Sequence, residues 1–469
     1  MYAKRTRLAA WVGVLLCLPW TLAAGETKRL TLEEAVSLAL AQSPRMRSAQ
    51  AEIDAADAVR KQARAHFGPI LQFETRALWF SEPPSLGGGG MTPEQLAALQ
   101  ALAGSDPFDN AMIQFFQDLP SMFESKDYDV TVTARIVQPL SQLYAVYVGY
   151  RAGDLGVEVA SVARQRRRDE LAYQVTEGCL RLLQAQAGVQ ALEEATRTVE
   201  AHVAQARSFV EVGLIGKQDL LQAEVRLAEI RGQLLKVRHG VSLAGAALAM
   251  MLGLPAGTAV EVVAPGFGFG PEEKLGVEMA QAMALTRRPE LQEIALRLEQ
   301  AEYGRKLAIS GFIPQLSALA MYQYNEGSLM APPPWTLGLA LSWDVWEWGA
   351  TYYKVEEADA HLAMAQAGRE EAERGILLDV ERAWMGTREA KELIGVTGSA
   401  LAHAEEQLRI EQDRYAQHVN TSTDVLDAQT RLTRARVESE SARYDYLIAV
   451  AALEKAIGSL GTEDSHDHP

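Results

Sequence analysis

Two stretches of this chain repeat one another at long range. Asp219-Leu220-Leu221-Gln222-Ala223-Glu224-Val225-Arg226-Leu227 and Asp424-Val425-Leu426-Asp427-Ala428-Gln429-Thr430-Arg431-Leu432 share one pattern. The same shift of 205 residues carries Leu248 onto Leu453 and Gly253 onto Gly458. Each copy follows a short polar break and opens a long helical pattern, as the first turns of a helix do after a chain reversal. A duplication of this kind has to be recognised before domains are counted. Length alone would suggest two or three globular domains.

The duplication extends upstream. Pro289 and Pro314 are spaced as Pro44 and Pro69 are, at a shift of 245, and Ala56, Lys61 and Phe67 fall on Ala301, Lys306 and Phe312. The two shifts differ by 40 residues, and the difference lies wholly between two strand-like segments of the first half. Extra chain is tolerated where a hairpin tip reaches solvent. The sequence therefore divides into a leader (1–25), a first repeat (26–264), a linker (265–275), a second repeat (276–460) and a disordered polar tail (461–469).

Within the first repeat, Thr31 and Glu34 form a capping-box pattern ahead of a helix that runs to Pro44. A second helix spans Pro44 to Phe67. The period then changes from helix to strand. Over 70–80, Leu71, Phe73, Thr75, Ala77 and Trp79 alternate with Gln72, Glu74, Arg76 and Leu78; over 128–138, Tyr128, Val130, Val132, Ala134 and Ile136 alternate with Asp129, Thr131, Thr133 and Arg135. An apolar face backed by a polar one, closed by aromatics over about ten residues, is the pattern of a transmembrane β-strand. A half-buried strand of a soluble sheet alternates in the same way. The intervening loop, 81–127, carries a capping box at Thr92-Pro93-Glu94-Gln95 and a short helix to about Ala103, with a second around Phe115, Phe116 and Phe123. In the second repeat the matching strands are 315–324 and 335–344.

Each strand pair is followed by a helical hairpin, at 141–254 and 347–459. The return arm of the first is a heptad: Leu220, Leu227, Leu234, Val241 and Leu248 in one column, Ala223, Ile230, Val237, Ala244 and Met251 in the other. That of the second has Val425, Leu432, Ser439, Tyr446 and Leu453 beside Ala428, Ala435, Ala442, Ala449 and Ala456. Such columns specify coiled-coil packing, and an all-alanine column lets two backbones approach closely. Arg164, Arg166, Arg167 and Arg168 read as a solvated basic face.

Lys4, Arg5 and Arg7, an apolar run from Leu8 to Leu22 and Ala23-Ala24-Gly25 form a secretory signal. The formal net charge of −16 becomes more negative once that leader is gone, which argues against nucleic acid as a partner. Only Cys179 then remains, so an intrachain disulfide is excluded. No later apolar run reaches the ~18 residues of a spanning helix. Any crossing of a membrane is by strands. Four strands do not close a barrel, and an open edge is not viable in lipid; a conducting pore needs at least three chains. The rival reading is a soluble periplasmic coiled-coil scaffold without a pore.

The two-repeat layout, the Val212-Gly213-Leu214 turn and the stretch Thr423-Asp424-Val425-Leu426-Asp427-Ala428 resemble the TolC family of outer-membrane efflux proteins, over nearly the whole mature chain. The resemblance implies a mainly α chain with transmembrane β: a homotrimeric twelve-stranded barrel, four strands per chain, in outer-membrane lipid, continuous with a long α-helical periplasmic coiled-coil barrel. It implies a channel of a tripartite efflux pump or type I secretion system, with a periplasmic adaptor and an inner-membrane transporter as partners. Asp424 and Asp427 match the family's acidic ring at the closed periplasmic end, where crowded carboxylates favour cations. Asp219 and Tyr415 match a bonded pair that holds the entrance shut. Val212, Gly213, Leu214, His418 and Val419 match the adaptor-docking tips. The chain departs from the family at two places: the latch arginine is Asn420, with Lys217 as a candidate substitute cation, and the glycine of the second tip is His418.

Asp219 and Asp424 equally fit the ordinary N-cap role of aspartate at a helix start; Asp427, one turn in, does not. Trp79, Tyr128, Tyr322, Tyr324, Trp335 and Trp343 read as barrel girdles, with strand packing as the alternative. Trp346, Trp348, Tyr144, Tyr147 and Tyr150 lie where strand passes into helix. His466 and His468 belong to the tail, and the other histidines show no ligand spacing. With no nucleophile motif, phosphate loop or metal signature, neither an enzyme, a cofactor nor a metal site is expected.

Overall fold

The computed structural model describes residues 28–81, 93–102, 108, 111–115, 126–266, 276–326, 333–417 and 419–459. The leader, Thr92, Phe116, Phe123, the centre of the linker, His418 and the tail with His466 and His468 lie outside the described residues. Strand β1 (Lys28–Leu30), α1 (Leu32–Gln42) and α2 (Pro44–Ala65) lead into β2 (Ile70–Trp79). The short α3 (Pro93–Leu102) lies between β2 and β3 (Tyr128–Pro139). Two long helices follow, α4 (Leu143–Glu211) and α5 (Lys217–Met251), and then β4 (Val260–Val262). The second half runs α6 (Val277–Arg287), α7 (Pro289–Ile309), a 3-10 turn (Ser310–Phe312), β5 (Gln315–Glu326) and β6 (Trp335–Ser342). It ends with α8 (Ala350–Ala416) and α9 (Ser422–Ile457).

Local chemistry accounts for these boundaries. Thr31 N donates to Glu34 at 2.8 Å and Glu34 N to the Thr31 hydroxyl at 3.2 Å, completing the capping box of α1. Pro44 and Pro289 sit in the first turn of their helices, where a missing N–H costs nothing. Pro69 and Pro314 stand immediately before β2 and β5, since proline favours an extended predecessor and ends helical pairing.

The chain forms two compact units, and their boundaries fall inside α2, α4 and α8 and between α6 and α7. One comprises residues 48–166 and 288–375. It holds a four-stranded antiparallel sheet of order β2-β3-β5-β6. The register brings the apolar positions of all four strands onto one face. Phe73 pairs with Ala134, Ala134 with Tyr322, and Tyr322 with Trp335; Leu71, Ile136, Ala320 and Leu337 form the next row. A one-residue slip in any strand would have scattered these residues over both faces. The opposite face carries Gln72, Arg135, Thr133, Gln323, Ser317 and Ser342. In this same unit Arg166 is exposed, as its basic run suggests, and still finds a buried partner. It pairs at 3.1 Å with Glu293, whose side chain is almost fully buried and also takes Arg297. An isolated buried carboxylate is too costly to leave unpaired.

The other unit comprises residues 1–47, 167–287 and 376–469. Its main core joins Leu171, Val175, Cys179 and Leu182 of α4 to Leu248 and Leu252 of α5 and to Ala35 and Ala39 of α1. Both heptads lie buried or half-buried along their length, and Ala428, Ala435, Ala442 and Ala456 are buried. One element was not expected: between the end of α5 and the linker, Val260–Val262 pairs in parallel with Lys28–Leu30. Leu30, Val260 and Val262 are buried in the core. Two three-residue strands are too short for alternation to reveal them. Among the described residues no helix is long and apolar enough to cross a membrane.

Candidate functional site

Both helix reversals belong to the second unit, and both are built the same way. At the end of α4, Gly213 takes a left-handed φ of 77°. Its N–H donates to Val210 O at 3.0 Å, and Leu214 N donates to Phe209 O at 2.8 Å. This is a Schellman stop, which needs a residue indifferent to positive φ. It leaves Val212 and Leu214 exposed. At the end of α8, Val419 N reaches Arg414 O at 2.9 Å in the same six-residue closure, and Val419 is exposed.

The two aspartates near the helix starts are not N-caps. Gly216 caps α5 and Thr421 caps α9. Asp219 and Asp424 each stand three residues in, where a negative charge still opposes the positive helix end. Asp424 completes a second capping box: its carboxylate accepts from Thr421 N at 2.9 Å and from the Thr421 hydroxyl at 2.7 Å. These two bonds, the backbone one first, hold its pKa below the usual carboxylate value. Asp424 and Asp427 are exposed one turn apart on α9. Asp427 and Thr423 line an open groove of about 570 Å³ with Leu221, Val225 and Arg226 of α5.

Tyr415, in the last turn of α8, is 4% exposed, and its hydroxyl makes no hydrogen bond. Burial, and after it the nearby Asp219 carboxylate, push its pKa up. The Tyr415 hydroxyl makes no bond to Asp219 within one chain, and the family resemblance implies that bond across neighbouring coils. Asn420 stands where the family arginine would. It donates to Glu411 O at 3.1 Å and to the Glu411 carboxylate at 2.6 Å, staying within its own reversal. Lys217 forms no ion pair with Asp219.

One contact here escapes sequence reasoning. His202 of α4 is buried, and its Nε2 lies 2.8 Å from the Ser422 hydroxyl at the start of α9. The imidazole ring packs 4.9 Å from the Tyr415 ring, which in turn lies 5.9 Å from Phe209. Burial lowers the His202 pKa. The available signal was position: His202 shares a helix face with Val199, Val203 and Ala206, all buried, so a polar side chain there needs a polar partner.

The girdle candidates fall on the apolar face of the sheet. Trp79 pairs with Tyr128 and Tyr322 with Trp335, the latter rings 4.8 Å apart. Tyr324 pairs with Val132 on the same face. These five lie toward the hairpin ends, and Trp343 follows β6 at the opposite end.

Comparison with known proteins follows this geometry. The family described as outer membrane efflux protein matches residues 35–254 and 281–459. The chain is 28% identical over 128 residues to the outer membrane protein TolC of Escherichia coli, a match that spans 27% of this chain and 26% of TolC. It is 23% identical over 466 residues to the proteases secretion protein PrtF of Dickeya chrysanthemi, covering 96% of this chain and 93% of PrtF. In fold it is similar to the CmeC outer membrane channel of Campylobacter jejuni, with a TM-score of 0.74 at 16% identity over 92% of this chain and 87% of CmeC.

Proposed function

This chain belongs to the outer membrane efflux protein family, and from that premise we propose that it is a passive exit duct, gated at the helix reversals. The observation that carries the reading is the apolar face of the four-stranded sheet. Phe73, Trp79, Leu337 and Leu339 are 74%, 75%, 81% and 71% exposed on the single chain. A continuous apolar face of this extent on a folded unit marks a surface that meets lipid or protein. Its other face is polar, and β2 and β6 each have an unpaired edge. Sister chains satisfy both edges when three sheets close into a twelve-stranded barrel, with hydrocarbon outside and water within.

The gate of this duct is the pair of reversals. Asp424 and Asp427 from three chains place six carboxylates at its periplasmic mouth, a ring that attracts cations and holds multivalent ones. The exposed apolar tips Val212, Leu214 and Val419 are the surface for a periplasmic adaptor, and an inner-membrane transporter supplies the energy. The full-length likeness to PrtF, a proteases secretion protein, supports reading secretion of protein beside small-molecule efflux as the work of such a duct. The test is single-channel recording in planar bilayers. Wild type conducts and is blocked by trivalent cations from the periplasmic side, and Asp424→Ala with Asp427→Ala abolishes the block. Block that survives the double substitution removes the acidic ring from the gate.

A further inference from the structure

We propose that His202 and Ser422 form a buried latch between the two helix pairs, a positioning contact distinct from Asp219 and Tyr415. The proposal rests on the gated-duct reading above. Four polar contacts join α4 or α5 to α9 near the reversals. Thr423 donates to Gln222 at 2.9 Å and Arg226 to Thr430 at 2.6 Å, and Arg436 pairs with Glu194. These are exposed or only part-buried, so water can still reach a lost partner. The fourth is His202 with Ser422, at 8% and 1% exposure. It alone is closed to water on both sides.

Its placement suits a latch. Ser422 is the first residue of α9, so withdrawing that helix end from α4 breaks this bond at the outset. Around it, Val199 and Val203 of α4 pack with Leu426 of α9, and Tyr415 covers the imidazole. A polar pair in an apolar seam weakens the seam if either partner is lost, and it favours one register over others. Asn420 is occupied by Glu411 within its own reversal, which leaves the joining role to the histidine and serine.

Resting conductance in planar bilayers, with thermal unfolding in parallel, tests the latch in the full protein. Ser422→Ala and His202→Phe each raise the open probability at least about fivefold, the equivalent of one ordinary hydrogen bond lost in the pore. The double variant rises no further than a single one, because both remove the same bond. His202→Gln, which still reaches the serine, stays near wild type. Single variants that melt earlier but conduct as wild type does would reduce the pair to core packing and overturn the latch alone. A wild type that never conducts overturns the duct reading and the latch with it.

Discussion

At Asp424 two jobs coincide. The carboxylate closes the capping box of α9 and stays exposed, so the charge that a gate would use is also the charge that starts the helix. Its pKa is held below 3.8 by the Thr421 backbone N–H and hydroxyl. A carboxylate whose folded pKa is depressed adds stability that is fully present above the unfolded value and is lost as pH falls through the folded one. Thr421→Ala removes one of the two donors. The melting gap between wild type and this variant is therefore constant above about pH 5 and narrows on acidification below pH 4 or so, down to the share held by the Asp424 N–H bond to the Thr421 hydroxyl. A gap that persists undiminished to pH 2 would show that the carboxylate is not the partner that matters. Cys179 offers a contrast: burial pushes its thiol pKa up to about 12, which leaves it an inert core residue.

At the level of elements, helices end by glycine. Gly253 after α5 and Gly458 after α9, matched by the internal repeat, take φ of 74° and 80°. A Cβ on Gly253 would lie 2.9 Å from Gln42 O, at the end of α1. Gly253→Ala thus meets both left-handed strain, about 1–2 kcal/mol, and a backbone clash. Gly232, inside α5, has open space about it, and alanine there gains about 1 kcal/mol of helix propensity. Melting of the two variants should move in opposite directions; a shared direction would contradict the cap geometry. These stops, the heptads and the strand alternation were legible because each is a short-range pattern. The β1–β4 pair was not, since three residues show no period and the partners lie over 200 residues apart. Of the site, Asp424, Asp427 and the tips could be found by repeat and resemblance. His202 could not, because a single histidine on an apolar face reads as core until its serine is located in space. Arg166 is exposed as its basic run suggests, but its buried partner, Glu293, belongs to a distant helix and left no local signal.

For the whole molecule, the account depends on sheets that are incomplete alone. Two open edges and an exposed apolar face are tolerable only if lipid covers the face and sister chains take the edges. The proposed duct, its gate and its adaptor surface all rest on that assembly. The most direct measurement is the mass of the particle extracted from the outer membrane in mild detergent, followed by removal of the detergent. Three chains per particle, with aggregation once detergent is withdrawn, is the predicted result. A monodisperse single chain in detergent-free buffer would contradict it.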